Sequence, residues 1–155
     1  MSAAADHPGP DHPRQAGRHL LVVEARFYEH ISDLLLDGAL RALEAAGASH
    51  DRVVVPGALE IPAAVRLGIG RYDAFVALGC VIRGETSHYD IVAGESARGL
   101  IDLAVRDGAL IGNGILTCDT GEQARLRADP GGKDKGGGAV RAALSLLEIR
   151  SCLRT

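Results

Sequence analysis

The stretch Y-D-A-F-V-A-L-G-C-V-I-R-G-E-T-S-H-Y-D-I-V-A-G-E-S-A-R-G-L-I-D-L-A-V-R, from Tyr72 to Arg106, decides the fold. Tyr72 to Leu78 is an aliphatic run of strand length that ends at Gly79. From His88 the period changes. Val92, Leu100, Leu103 and Ala104 fall on one helical face that reaches Arg106, and Gly108 stands near its end. A strand, a polar loop and a long helix in this order are the repeating step of an α/β chain.

The same alternation extends outward in both directions. Towards the N-terminus, His19 to Ala25 (H-L-L-V-V-E-A) reads as a buried strand. A helix follows from about Glu29 to Ala46, with Ile31, Leu34, Leu35, Ala39, Ala42 and Leu43 on one face and Gly47 as its terminal glycine. Arg52 to Val55 is a second strand, stopped by Pro56-Gly57, and Glu60 to Leu67 is a short helix with Pro62 in its first turn. Towards the C-terminus, Ala109 to Thr117 reads as a fourth strand, interrupted by Gly112-Asn113-Gly114. A further helix begins near Thr120, with Asp119 or Thr120 as its cap. The glycine-rich segment Pro130 to Gly138 breaks the pattern, and a last helix runs from Ala139 to Leu153 with Val140, Ala143, Leu144 and Leu147 in register. This alternation predicts parallel strands joined by right-handed helical crossovers: one α/β domain over residues 18–155, a three-layer α/β/α sandwich on a four-stranded parallel sheet.

Bulk properties narrow the function. At 155 residues the chain is long enough to bury about 70% of its unfolded surface without a metal or disulfide. Hydrophobic residues make up 46% and aromatics only 3%, so the core is aliphatic and each aromatic near a loop invites a reason. The net charge of −3, with no basic run, argues against a nucleic-acid surface. No run approaches the ~20 apolar residues of a membrane span. Residues 1–17, rich in Pro, Gly, His and Asp at the start, read as a disordered arm without the apolar region of a signal peptide. Cys80, Cys118 and Cys152 form neither a C-x-x-C nor a zinc pattern, which fits a reducing cytoplasm.

In an open parallel sheet, ligands bind beyond the carboxyl ends of the strands. Here those ends carry residues that a core does not require. Phe27 follows the first strand and either stacks on a planar ligand or plugs the first helix. Gly57 and Ala58 let backbone approach a ligand or simply make a tight turn. Glu60 either accepts hydroxyl hydrogen bonds or complements a helix N-terminus. Val81 to His88 leads into the long helix, where unpaired N–H groups can receive an anion, Gly84 permits close approach, Thr86 adds a hydroxyl and His88 can exchange protons near neutral pH. Asn113 lies towards the end of the predicted fourth strand. Arg127 and Lys135 flank a glycine-rich, flexible segment and either hold phosphate or decorate the surface. Gly-Gly-Lys-Asp-Lys-Gly lacks the spacing of a phosphate loop, and no G-x-G-x-x-G follows the first strand.

Together these segments resemble lumazine synthase from about Gly17 to Leu153. The resemblance is carried by A-R-F (Ala25 to Phe27), P-G-A-L-E-I-P (Pro56 to Pro62), the Tyr72 to Asp90 run with R-G-E-T-S-H-Y-D, G-I-L-T-C-D-T (Gly114 to Thr120), E-Q-A-R-L-R-A (Glu122 to Ala128) and D-K-G (Asp134 to Gly136). It implies a flavodoxin-like sandwich that joins 5-amino-6-ribitylaminouracil to 3,4-dihydroxy-2-butanone 4-phosphate, with no metal or organic cofactor. It further implies that Phe27 stacks on the uracil ring, that Ala58 and Glu60 hold the ribityl chain, that Val81 and Ile82 supply backbone contacts, and that Gly57 and Asn113 belong to the same substrate site. Gly84, Glu85 and Thr86 would lie beside the phosphate, His88 would move protons, and Arg127 and Lys135 would reach the phosphate from a neighbouring subunit. The assembly implied is a homo-pentamer or larger, with riboflavin synthase as a candidate protein partner. Three features depart from the family pattern. Tyr28 stands where many members have Asn, Asn113 where many have a pocket aromatic, and Asp129 to Asp134 replaces a lysine-and-asparagine segment. The same fold could also serve as a non-catalytic lumazine or flavin binder, or as a shell.

Overall fold

All seven residues of the first strand, β1 (His19–Ala25), are buried, as its aliphatic run requires of a central strand. A computed structural model describes residues 17–154; nearly all of the expected disordered arm lies outside the described residues. After β1 come α1 (Glu29–Ala45), β2 (Ser49–Val55), a 3-10 turn (Ala58–Glu60), α2 (Ile61–Gly68), β3 (Ala74–Ile82), α3 (His88–Asp107), β4 (Ile111–Cys118), α4 (Gly121–Ala128) and α5 (Lys135–Leu153). The four strands pair in parallel in the order β2-β1-β3-β4. The predicted α/β sandwich is therefore present. The chain steps outward from β1 to β2 and then returns to place β3 on the other side of β1. The strand order thus reverses between β1 and β3, where such sheets open a crevice.

Two cores cover the two faces. Leu20, Val22, Val76 and Leu78 meet Leu35 and Leu43 of α1 and Val140 and Leu147 of α5. On the opposite face Leu21, Val23, Phe75 and Ala77 meet Ile61 and Val65 of α2 and Leu100 and Leu103 of α3. The period-2 alternation of a strand sorts its residues between these faces. No helix among the described residues is long and apolar enough to cross a membrane.

Several boundaries differ from the sequence reading, each for a physical reason. β2 starts at Ser49 rather than Arg52, because its polar residues find polar partners across the ladder. The buried His19 ring lies 2.9 Å from Ser49 Oγ through Nδ1 and 3.1 Å from Asp51 Oδ2 through Nε2. Tyr72 hydroxyl donates to the same Asp51 oxygen at 2.8 Å and belongs to the turn before β3, not to the strand. β3 runs through Gly79 to Ile82. β4 is not interrupted at Gly112-Asn113-Gly114; a Cβ on Gly112 would lie 1.8 Å from Ala139 carbonyl oxygen, so this glycine lets α5 press on the strand.

The largest correction concerns α5, which begins at Lys135 rather than Ala139. Asp134 caps it by accepting the Gly137 N–H at 3.2 Å. Its glycines are not breakers. A Cβ on Gly136 would lie 2.0 Å from Leu35 carbonyl oxygen, so the bare backbone lets α1 and α5 touch. The preceding segment, expected to be flexible, is a hydrogen-bonded turn. Asp129 accepts the Gly131 N–H through its carboxylate at 2.8 Å and the Gly132 and Asp134 N–H groups through its carbonyl at 2.9 and 3.1 Å.

Candidate active site

At the β1/β3 reversal a cleft of about 420 Å³ opens beyond the carboxyl ends of the strands. Three segments line it. The first is Phe27-Tyr28, after β1; the second runs from Pro56 to Glu60, after β2; the third spans Cys80 to Val92, from the end of β3 into α3. Of the residues singled out in the sequence, Phe27, Gly57, Ala58, Glu60, Val81, Ile82, Gly84, Thr86 and His88 all reach this one cleft. They come from three separate stretches that only the parallel topology brings together.

Phe27 is 76% exposed and meets Tyr28 edge to face at 4.9 Å between ring centroids. It is therefore not a plug over α1; one ring face remains available. In the cleft wall, the 3-10 turn is closed by the Glu60 N–H donating to Gly57 carbonyl at 3.1 Å. Ala58 is buried in the core below it, while Glu60 is exposed at the rim. Gly84 is informative in a different way. Its φ is not positive, and a Cβ built there meets nothing within 4 Å. Neither strain nor packing demands glycine at this point, so the open space belongs to the cleft. The Thr86 hydroxyl accepts the His88 N–H at 3.3 Å and begins α3. Arg83 is turned aside from the cleft. It donates to Asp119 at 3.0 Å and lies over the Tyr89 ring at 4.3 Å.

Tyr28, Pro56, Leu59, Cys80, Tyr89 and Val92 also line the cleft without having been assigned there. Val92 was read only as a core residue; it serves the core and the cleft wall together. Cys80 likewise belongs to both the core and the cleft wall. Burial, with a smaller contribution from Cys118, pushes its thiol up to about 12, so it stays protonated and is no nucleophile.

Four candidates lie elsewhere. Glu85 is exposed on the cleft loop but does not line the cleft. Asn113 sits in the first half of the edge strand β4, opposite Ala77, where its side chain accepts the Ile115 N–H at 2.9 Å. Arg127, on α4, donates to Gln123 carbonyl at 3.1 Å, and Lys135 opens α5; both helices pack on the α1 side of the sheet. Among the described residues, the lining of the cleft contains no lysine or arginine.

The family model for 6,7-dimethyl-8-ribityllumazine synthase matches residues 17–151 of this chain. The chain belongs to that family. A 6,7-dimethyl-8-ribityllumazine synthase of Sphingopyxis alaskensis is 58% identical over 85% of this chain and 94% of its own. One from Methylobacterium radiotolerans is 59% identical over 92% of this chain and 88% of its own. A Rhodopseudomonas palustris protein, 6,7-dimethyl-8-ribityllumazine synthase 1, is 53% identical over 97% of this chain and 96% of its own. The match to lumazine synthase thus spans every cleft segment described above.

Proposed function

We propose that this chain condenses 5-amino-6-(D-ribitylamino)uracil with 3,4-dihydroxy-2-butanone 4-phosphate to give 6,7-dimethyl-8-ribityllumazine, phosphate and water, the penultimate step of riboflavin biosynthesis. The observation that carries this reading is the convergence of Phe27, the Gly57 to Glu60 turn and the Gly84 to His88 loop on one cleft. A free ring face, a polar rim and a helix start match a planar heterocycle, a polyol chain and a phosphate in turn.

In this reading the uracil ring stacks on Phe27 and meets the backbone of Val81 and Ile82. The ribityl chain runs along Gly57, Ala58 and Glu60. The butanone phosphate enters at Gly84, Glu85 and Thr86, at the start of α3. The 5-amino group attacks the ketone carbonyl and one water leaves to form an imine. Phosphate is then eliminated, the resulting enol tautomerises to a ketone, and the ribitylamino nitrogen attacks that carbonyl to close the ring with loss of a second water. His88 moves the protons these steps need. Holding two substrates together supplies much of the rate enhancement, since effective molarities of aligned partners are large.

The phosphate still requires a cation, and the cleft of one chain offers none among its described lining residues. Arg127 and Lys135 of a neighbouring copy fill that need, which makes the enzyme a homo-oligomer, a pentamer or a larger assembly. A second feature favours assembly. Ile91, Gly94, Arg98, Ile101 and Val105 follow the three-four spacing of a helix seam along α3, and Ile101 and Val105 are 61% and 79% exposed. The exposure of Asn113 on edge strand β4 supports the same reading.

The test is direct. Purified chain is mixed with both substrates and lumazine is followed by its absorbance. Saturable formation above the uncatalysed background is expected. Product binding without acceleration would contradict the proposal.

A further inference from the structure

Inside β1, among aliphatic neighbours, stands Glu24, a carboxylate that is only 1% exposed. Nothing in the fold asks for it; a valine would continue the strand. A charge so placed needs compensation, because removal from water disfavours it strongly. Two arginines provide it. Arg26 Nη1 donates to Glu24 Oε1 at 2.7 Å, and Arg52 Nε stands 2.5 Å from Oε2. The second contact is close but not aligned as a hydrogen bond, so it acts by charge more than by direction. Arg26 also pairs with Asp33 in the first turns of α1. Four charges, two of each sign, therefore join the end of β1, the middle of β2 and the start of α1.

The position of this cluster gives it a function. Arg26 immediately precedes Phe27. Arg52 stands four residues before Pro56, where the Gly57 to Glu60 turn leaves β2. The two segments rooted in the cluster are the two assigned above to the pyrimidine substrate. The loop assigned to phosphate has other anchors: Arg83 pairs with Asp119 and Asp90.

We infer that Glu24 is a positioning residue that sets Phe27 and the Gly57 to Glu60 turn at a fixed separation, and so governs binding of the pyrimidine but not of the butanone phosphate. The inference rests on the substrate assignment of the preceding subsection. Glu24→Gln keeps the shape and removes the charge that holds the two arginines together. Arg26→Lys keeps the charge in a less buried position but cannot bridge Glu24 and Asp33 with a planar fork.

The experiment measures kcat and both KM values for the unmodified chain, Glu24→Gln and Arg26→Lys. Each variant is expected to raise KM for the pyrimidine about ten-fold, since small misplacements of binding groups have effects of this order or more. KM for the butanone phosphate and kcat should change little. A merely structural Glu24 would raise both KM values together or neither, and either result overturns the inference. Should Glu24→Gln not fold, Arg26→Lys alone decides by the same split. Absence of turnover in the unmodified chain would strike the substrate assignment instead. In that case the readout becomes binding of 6,7-dimethyl-8-ribityllumazine by fluorescence: weaker binding to the variants supports the positioning role, and equal binding overturns it.

Discussion

Phe27 and Gly84 both line the cleft, one with an exposed ring and the other with an absent side chain. Removing the ring in Phe27→Ala should raise KM for the pyrimidine about three- to ten-fold, the equivalent of ~0.5–1.5 kcal/mol of stacking, and leave KM for the phosphate substrate nearly unchanged. Steady-state kinetics with each substrate varied in turn will check this; equal effects would contradict the stacking role. Cys80 gives a second test. Its thiol is pushed up to about 12 and the Cys118 thiol is also raised by burial, whereas Cys152 is exposed. Because a raised pKa leaves almost no thiolate near neutral pH, iodoacetamide should label Cys152 and spare Cys80 in the folded chain, with activity retained. Peptide mapping by mass spectrometry reads the outcome. The residues legible in the sequence were those that broke an aliphatic pattern: Phe27, Gly57, Gly84 and His88. Cys80 and Val92 were hidden because a residue that serves both core and cleft keeps the core pattern. Glu24 was hidden because Arg52, the partner of its second oxygen, lies on another strand and meets it only in the fold.

Among the elements, α1 and α5 show how backbone contact replaces side-chain packing. Gly136 sits where a Cβ would lie 2.0 Å from Leu35 carbonyl oxygen, whereas a Cβ on Gly138 would meet only Arg141 Nη2 at 3.9 Å. Gly136→Ala should therefore destabilise the protein by about 1–3 kcal/mol through overpacking. Gly138→Ala should be neutral or stabilise by up to ~1 kcal/mol, since alanine is the better helix former. Thermal or urea denaturation of the two variants separates these cases; similar losses in both would contradict the close approach. Element order and type were readable from periodicity along nearly the whole chain. The start of α5 was not, because glycine signals a break locally and a tight helix contact only once the partner helix is known. The start of β2 escaped for a related reason: Ser49 and Asp51 look like loop residues until the His19 ring is placed between them.

At the scale of the whole molecule, the topology collects Phe27, the Gly57 to Glu60 turn and the Gly84 to His88 loop on one edge but leaves Arg127 and Lys135 on the α1 side of the sheet. The sequence named these cations; it could not say on which side of a single chain they fall. A site that needs them must be completed by another copy, as heterologous contacts in a closed ring allow. Arg127→Ala alone should slow the reaction by about 10²- to 10³-fold, the scale of losing one preorganised charge contact, while the fold and assembly persist. The shared site is the central claim, and mixing two defective variants tests it most directly. Gly84→Leu fills its own cleft, where the space beside Gly84 is open; Arg127→Ala lacks the cation it would lend. Unfolded together in equal amounts and refolded, they should form mixed rings in which about one site in four has an intact Gly84 from one chain and an intact Arg127 from its neighbour. Recovery of about a quarter of the unmodified rate, from two variants each nearly inactive alone, is the predicted result. Mixed assemblies that remain as inactive as their parents would contradict a site built between chains.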